Sequence, residues 1–265
     1  MEYINNQEKL ERVKFTNPED YYIIADFDKT LTEGKSISTW GVVANSNKDN
    51  TEYHKRRKEL YEYYRPIEID STISDEKKSE YMSEWWKRHV GLFFEYGLKE
   101  EFIKKSVAEH ILLFRAGAKE FLSKMKEKNV PVIIVSAGIK NVIEEFLITE
   151  NCYFDNIYIL SNLIKFKAGV IEKLEGETIH ALNKNVIKLP QEILNKTEKR
   201  NNILLLGDGI ADLKMVKKED LIKTITVGFL DEKIEENLEH YNKAFDIVLT
   251  KEASFEEVNK ILNIY

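Results

Sequence analysis

Residues 21–32 read YYIIADFDKTLT, an apolar run that ends on Asp26, with Asp28 two positions on and Thr30 two beyond that. A short, continuously apolar run followed by turn residues, here Gly34 and Lys35, reads as a strand buried on both faces. Such a strand delivers its carboxylates to its C-terminal end. The pattern recurs twice. Residues 130–135 (VPVIIV) lead through Ser136, Ala137 and Gly138 into Ile139, Val142, Ile143, Phe146 and Leu147, spaced as one helix face. Residues 203–206 (ILLL) lead through Gly207-Asp208-Gly209 into Ile210, Leu213 and Val216, which reads as another helix. Shorter runs at 157–160, 225–229 and 247–249 complete a sheet. Apolar strands alternating with amphipathic helices imply an α/β fold, a Rossmann-like three-layer parallel sheet with both faces covered. Ligands in such sheets bind beyond the C-terminal strand ends, where Asp26, Ser136 and Asp208 all emerge.

About 100 residues separate the first two strands, whereas a strand-helix-strand crossover needs only about 30. The excess is rich in helix formers and aromatics (YHKRRKELYEYY, SEYMSEWWKRHVGLFFEYG, EEFIKKSVAEHILLF). The expected division is a catalytic core of residues 1–37 and 111–265, with a mostly helical cap of residues 38–110 inserted and a core helix over 116–125. Such a cap lies over the strand ends and excludes water.

The chain's 265 residues suffice for a core plus such an accessory body. With 43% hydrophobic residues, 32% charged and no low-complexity tract, the composition is that of an ordinary globular protein rather than a disordered one. A net charge of -6 argues against a nucleic-acid surface, which needs clustered Lys and Arg. Cys152, the single cysteine, cannot form an intrachain disulfide, and the N-terminal residues lack the apolar stretch of a signal peptide. No window approaches 18 consecutive apolar residues. A cytoplasmic monomer with no membrane partner is expected.

Asp26, Asp28 and Thr30 form the pattern DxDxT, which by itself fits a solvated acidic loop as well as a site. Residues 207–212 (GDGIAD) add Asp208 and Asp212 after a second buried strand. Carboxylates gathered from distant segments repel one another, and a divalent cation most easily offsets that cost. Hard oxygen ligands suit Mg2+. A fixed positive charge for a phosphate could come from Lys184, Lys188 or Lys196, all of which precede the last motif at feasible distances. Apart from His89, the other four histidines and Cys152 show no zinc-ligand spacing.

Taken together, Asp26-Phe27-Asp28-Lys29-Thr30, Ser136 after its strand, Lys184, and Asp208 with Asp212 resemble the four motifs of the haloacid dehalogenase superfamily. The resemblance implies covalent catalysis, with Asp26 as nucleophile forming an aspartyl phosphate and Asp28 as general acid and then base. It also implies Mg2+ held by the Asp26 and Asp208 carboxylates and the Asp28 backbone carbonyl, with Asp212 orienting its waters. Ser136, Thr30, the backbone N–H groups of Ala137 and Gly138 at a helix N-terminus, and Lys184 would bind the phosphate.

Further phrases extend the likeness: IADFDKTLT (24–32), RPIEID (65–70), YMSEWW (81–86), VSAGIKNVIEE (135–145), GETIHALNK (176–184), ILLLGDGIADLKM (203–215) and FDIVLTKEASFEEVNKIL (245–262). They are similar to the cytosolic pyrimidine 5'-nucleotidase family, which implies a Mg2+-dependent hydrolase of nucleoside 5'-monophosphates, pyrimidine or 7-methylguanosine. Members place a glutamate at the position of Glu68 against the base and a serine where this chain has His89. Trp40, Tyr64, Trp85, Trp86, Phe93 and Phe94 offer faces on which a base could stack. The competing readings are a phosphatase of another small metabolite such as phosphoserine, and a nucleotide-binding regulator without turnover. Glu68 and the cap phrases argue against the first, and the intact motif residues against the second.

Overall fold

The computed structural model describes residues 2–45, 50–70, 72–109, 112–186 and 189–263. In chain order the elements are β1 (Glu2–Ile4), α1 (Gln7–Arg12), β2 (Tyr21–Ala25), α2 (Thr39–Asn45), α3 (Thr51–Ile69), α4 (Asp75–Glu95), α5 (Glu100–Ala108), α6 (Ala118–Glu127), β3 (Val132–Ile139) and α7 (Lys140–Thr149). They continue with β4 (Ile157–Lys167), β5 (Val170–Glu175), α8 (Gln191–Thr197), β6 (Asn202–Gly207), β7 (Thr224–Leu230), α9 (Ile234–Ala244), β8 (Ile247–Thr250) and α10 (Phe255–Leu262). A wide helical turn spans Phe27–Leu31, and 3-10 turns span Lys184–Val186, Ile210–Met215 and Lys218–Lys223.

The eight strands form one sheet in the order β1-β8-β7-β6-β2-β3-β4-β5. From β2 the chain builds outward through β3 and β4, then crosses back to lay β6, β7 and β8 on the other side. The order therefore reverses at β2, whose neighbours are β3 and β6, both parallel to it. That reversal opens the crevice beyond the C-terminal ends where α/β sheets bind ligands. Burial explains the apolar runs: Ile23, Ala25, Leu204, Leu205, Val132 and Ile133 are all fully or almost fully buried. Helices cover the sheet with the spacing read from the sequence. Ala118, Phe121, Leu122 and Met125 of α6 and Val142, Ile143, Phe146 and Leu147 of α7 are buried, each larger side chain contributing about 1.5–3 kcal/mol.

Several details differ from the sequence expectation. The sheet is parallel only in its interior, because β1 and β5 are antiparallel edges. Ser136, Ala137 and Gly138 do not form a loop at a helix N-terminus. They continue β3 as extended chain to Ile139, with a register shift against β4 between Val135 and Ile139, and α7 begins at Lys140. The segment after β6 is a 3-10 turn rather than a helix, tightened by the Asp212 carboxylate accepting the Gly209 N–H at 3.0 Å.

The helices α2 to α5 lie between β2 and α6, and the two connections to them run side by side. Thr32 and Phe114 form an antiparallel bridge, the Glu33 N–H donates to the Leu113 carbonyl at 3.0 Å, and the Leu113 N–H donates to the Ser36 hydroxyl at 3.2 Å. Among the described residues no helix is long and apolar enough to cross a membrane.

Candidate active site

Asp26 follows β2 directly. Its N–H donates to the Leu206 carbonyl at 2.9 Å, extending the pairing with β6 by one residue, and the residue is only 6% exposed. The chain then reverses in the wide turn, where Lys29 takes a left-handed φ of +62°. Arg115, fully buried, holds that turn. Its guanidinium donates to the Thr30 carbonyl at 3.0 Å, the Lys29 carbonyl at 2.5 Å and the Asp231 carboxylate at 2.7 Å. Thr30 is itself completely buried, and its hydroxyl has no partner.

Asp28 points back toward α2. One carboxylate oxygen accepts the Thr39 N–H and the other the Thr39 hydroxyl. Burial and the nearby Asp26 charge push its carboxyl up to about 7, against the pull of the two Thr39 bonds. The Thr39 hydroxyl also accepts the Ile139 N–H, and the Gly138 N–H donates to the Ser136 hydroxyl at 3.0 Å. The carbonyls of this extended segment are engaged from outside: Trp40 Nε1 and Asn162 Nδ2 each donate to Ala137 at 2.8 Å, and Ser161 donates to Gly138 at 2.7 Å.

Lys184, 3% exposed, bridges two carboxylates, its Nζ lying 2.6 Å from Asp26 and 2.7 Å from Asp212. Burial opposes its charge, but the two carboxylates outweigh burial and raise its pKa. Burial pushes the Asp26 carboxyl up to about 6, with Lys184 pulling it down and Asp212 adding to the rise. Asp208 is pushed well above the usual carboxylate range by burial and by its acidic neighbours Asp212 and Asp26. Asp26, Asp208 and Asp212 each offer an oxygen, all within 4.8 Å of one another. One ammonium cannot balance three carboxylates, and this donor set fits a divalent cation with hard oxygen ligands. Gly207 permits the approach, since a Cβ there would come 2.5 Å from the Asp212 carboxylate. Lys196 is exposed on α8, near Asp155, and Lys188 lies outside the described residues.

Beyond Thr39 the helices present aromatic rings. Trp40 stacks on Trp86 at 4.1 Å between centroids, Trp86 on Trp85 at 5.1 Å, and His89 lies 5.9 Å from Trp86, nearly parallel to it. Trp40, Trp85, Trp86 and His89 line a cleft of about 500 Å³, together with Arg57 and Tyr61. His89 is 6% exposed with no hydrogen-bond partner on either ring nitrogen, and burial, with Arg57 nearby, lowers its pKa to about 4. Tyr64 and Phe93 are core residues of the helices and Phe94 faces solvent.

Glu68 does not line this cleft. It is paired with Arg65, one turn back on α3, and Arg65 lines a separate polar cavity of about 550 Å³ that includes Asp208, Glu232 and Tyr241. The fold thus gathers Asp26, Asp28, Asp208, Asp212, Lys184, Ser136 and Gly138 at one place, and it keeps Glu68 and His89 in different surroundings. Thr39, Asn162 and Arg115 were not read from the sequence. Only Asn162 carried a signal, as a lone amide in β4 two residues past the apolar run 157–160.

The family model for pyrimidine 5'-nucleotidase (UMPH-1) matches residues 25–265. The 7-methylguanosine phosphate-specific 5'-nucleotidase A of Xenopus laevis is 34% identical over 264 residues, covering 97% of this chain and 91% of that protein. The human 7-methylguanosine phosphate-specific 5'-nucleotidase is 33% identical over 248 residues, covering 91% of this chain and 83% of its own length. Among solved structures, cytosolic 5'-nucleotidase IIIB bound to cytidine superposes with a TM-score of 0.85 at 24% identity, covering 99% of this chain and 93% of that one. A substrate-bound phosphoserine phosphatase gives 0.59 at 20% identity, covering 90% and 96%, a likeness of fold alone.

Proposed function

The chain belongs to the pyrimidine 5'-nucleotidase family and is a phosphoric monoester hydrolase of the 5'-nucleotidase type, and from that premise we propose how its own residues carry the reaction and what they take. The substrate is a nucleoside 5'-monophosphate whose base is a pyrimidine or 7-methylguanine, and the helices α2 to α5 form the cap that receives the base. The protein works in the cytosol, as the solved relative named above does.

The observation that carries this reading is the Asp26 carboxylate held at 2.6 Å by a buried lysine at the end of the central strand, with Asp28 beside it. An Asp26 oxygen attacks phosphorus and the bond from phosphorus to the 5' oxygen breaks. Asp28, whose raised pKa keeps a proton available near neutrality, gives that proton to the departing oxygen. Water then attacks the aspartyl phosphate, passing its proton back to Asp28, and Asp26 is released with inorganic phosphate. Lys184 keeps the nucleophile oriented and faces the charge on the transferring group. Ser136 and the Gly138 segment cradle the remaining oxygens. Asp26, Asp208 and Asp212 would hold Mg2+, which when bound neutralises charge on the phosphoryl oxygens.

The tryptophan faces of the cleft favour a nucleotide over phosphoserine, because a stacked base contributes about 1–3 kcal/mol and an amino acid has none to stack. His89 and the Arg57 Nε, both without a hydrogen-bond partner, are polar groups available to a base edge there. The test is phosphate release from a panel of nucleoside monophosphates, 4-nitrophenyl phosphate and phosphoserine, for the parent and Asp26→Asn. Turnover of nucleotides above the others, abolished in a folded Asp26→Asn, is expected. A folded Asp26→Asn that keeps substantial turnover removes the nucleophile assignment.

A further inference from the structure

Lys184 does not reach its carboxylates from a strand or helix of the sheet. It ends a loop that follows β5, and the fastenings of that loop run in two directions. Toward the sheet, the Asn162 side chain brackets Ile179, accepting its N–H and donating to its carbonyl, both at 2.8 Å. Within the loop, Asn183 accepts the His180 N–H at 2.7 Å and donates to the Thr178 carbonyl at 3.0 Å. Toward the helices, His180 and Leu182 leave the core altogether. Leu182 packs on Tyr64, Met82 and Trp85 of α3 and α4. The His180 ring, 1% exposed, lies with Nε2 3.3 Å from both the Ser79 and the Ser83 hydroxyls, which are one turn apart on α4.

The tautomer follows from the other ring nitrogen. Nδ1 accepts the Leu182 N–H at 3.3 Å, so the proton of the neutral ring sits on Nε2 and points at the two serines. Burial holds the pKa down to about 4, which keeps the ring neutral and this arrangement intact at ordinary pH. The contacts run without a gap from α4 through His180 and Asn183 to Lys184, and from its Nζ to Asp26 and Asp212. Residues outside the site that fix the position of a charged group affect a reaction strongly, because a misplacement of about 1 Å costs up to about a hundredfold in rate.

We propose that His180 is a positioning residue for Lys184, fastening the lysine's loop to Ser79 and Ser83 of α4 so that the placement of the ammonium depends on the seating of that helix. The inference rests on the reading of Lys184 given above. It means that the helices over the site do more than receive the substrate, since one of them also sets a charge inside the core.

The test uses the full chain, with kcat and KM measured on cytidine 5'-monophosphate and on 4-nitrophenyl phosphate. In the variant carrying both Ser79→Ala and Ser83→Ala, the two changes fall at solvent-accessible positions and leave His180 in place. This variant and His180→Ala should each lower kcat about tenfold or more on both substrates, with the nucleotide KM nearly unchanged. His180→Gln, whose amide can donate from the place of Nε2, should recover most of the loss. A serine-pair variant with parental kcat overturns the proposal, as does a loss confined to the nucleotide KM, which would make His180 part of the grip on the base. Lys184→Met separates the two levels. If it is inactive while the serine-pair variant is fully active, only the link to α4 falls; if it is fully active, the reading of Lys184 falls as well.

Discussion

Thr39 occupies both carboxylate oxygens of Asp28, one through its backbone N–H and one through its hydroxyl, each at 2.9 Å. Because the same hydroxyl accepts the Ile139 N–H at 3.1 Å, the first residue of α2 joins the acid-base carboxylate to the end of β3. Two neighbouring segments and a third 100 residues on meet at one oxygen atom.

That meeting leaves no room for a side chain at position 138. A Cβ on Gly138 would fall 2.2 Å from the Thr39 hydroxyl and 3.1 Å from the Asp28 carboxylate. Gly138→Ala should therefore displace Thr39 and lower kcat by about ten- to a hundredfold, with the circular dichroism spectrum unchanged. An alanine variant with parental kcat would show that the Thr39 contact plays no part in turnover.

Asp28 and Asp208 should separate by metal affinity. Asp28→Asn should abolish turnover while Mg2+ still binds, measured by calorimetry, because its carboxylate is engaged by Thr39 and is not part of the converging triad. Asp208→Ala removes one of three converging oxygens and should weaken Mg2+ binding itself. Equal effects on affinity would erase the distinction.

The raised carboxyl of Asp28 fixes a sign for stability against pH in the metal-free protein. Its folded value of about 7 lies above the ordinary 3.8, so between those values the folded chain holds a proton that the unfolded chain has released. The Asp28 contribution is therefore complete below about pH 4 and lost as pH rises to 7, by as much as about 4 kcal/mol. Asp28→Asn lacks this loss. Whatever its constant cost, its urea midpoint should gain on the parent between pH 5 and pH 8, and a gap that stays constant or reverses would contradict the assignment.

Base preference should divide Glu68 from His89. Were the base seated at the Arg65 cavity rather than in the tryptophan cleft, a glutamate leaving Arg65 to accept an amine from the base would contribute about 1.5–3 kcal/mol, or roughly ten- to a hundredfold in kcat/KM. Glu68→Gln should then weaken cytidine monophosphate more than uridine monophosphate and leave 4-nitrophenyl phosphate alone. His89→Ala should alter nucleotides while sparing the same aryl phosphate. If Glu68→Gln lowers all three substrates equally, Glu68 serves only its ion pair with Arg65.

The interior strands and the acidic motifs were legible because their signals are local: an uninterrupted apolar run needs both faces covered, and two aspartates at its end need a reason. What stayed hidden depends on partners. Ser136 to Ile139 look like a turn, being small residues and a glycine, yet pairing of Ile139 with Asn162 keeps them extended. The charged alternation of β5 gives no sign that it pairs back on β4. Thr39 is an unremarkable threonine until the fold brings Asp28 to it. The Arg65–Glu68 pair is legible in the spacing of RPIEID, since residues three apart on a helix are neighbours.

The paired connections at Thr32 and Phe114 give the molecule a single doorway through which four helices depart and return. Closing a loop asks only that its ends meet, at a cost that grows slowly with length. A foreign set of helices grafted between positions 34 and 112 would accordingly leave every strand beside its present neighbouring strand, while β3 would lose its bond to Thr39 and β5 its bridge to Lys99. Such transplants would nevertheless inherit an obligation from outside the exchanged piece: a donor lacking two hydroxyls one turn apart would offer His180 nothing to hold, and a graft chosen for its taste in bases would arrive with its lysine untethered.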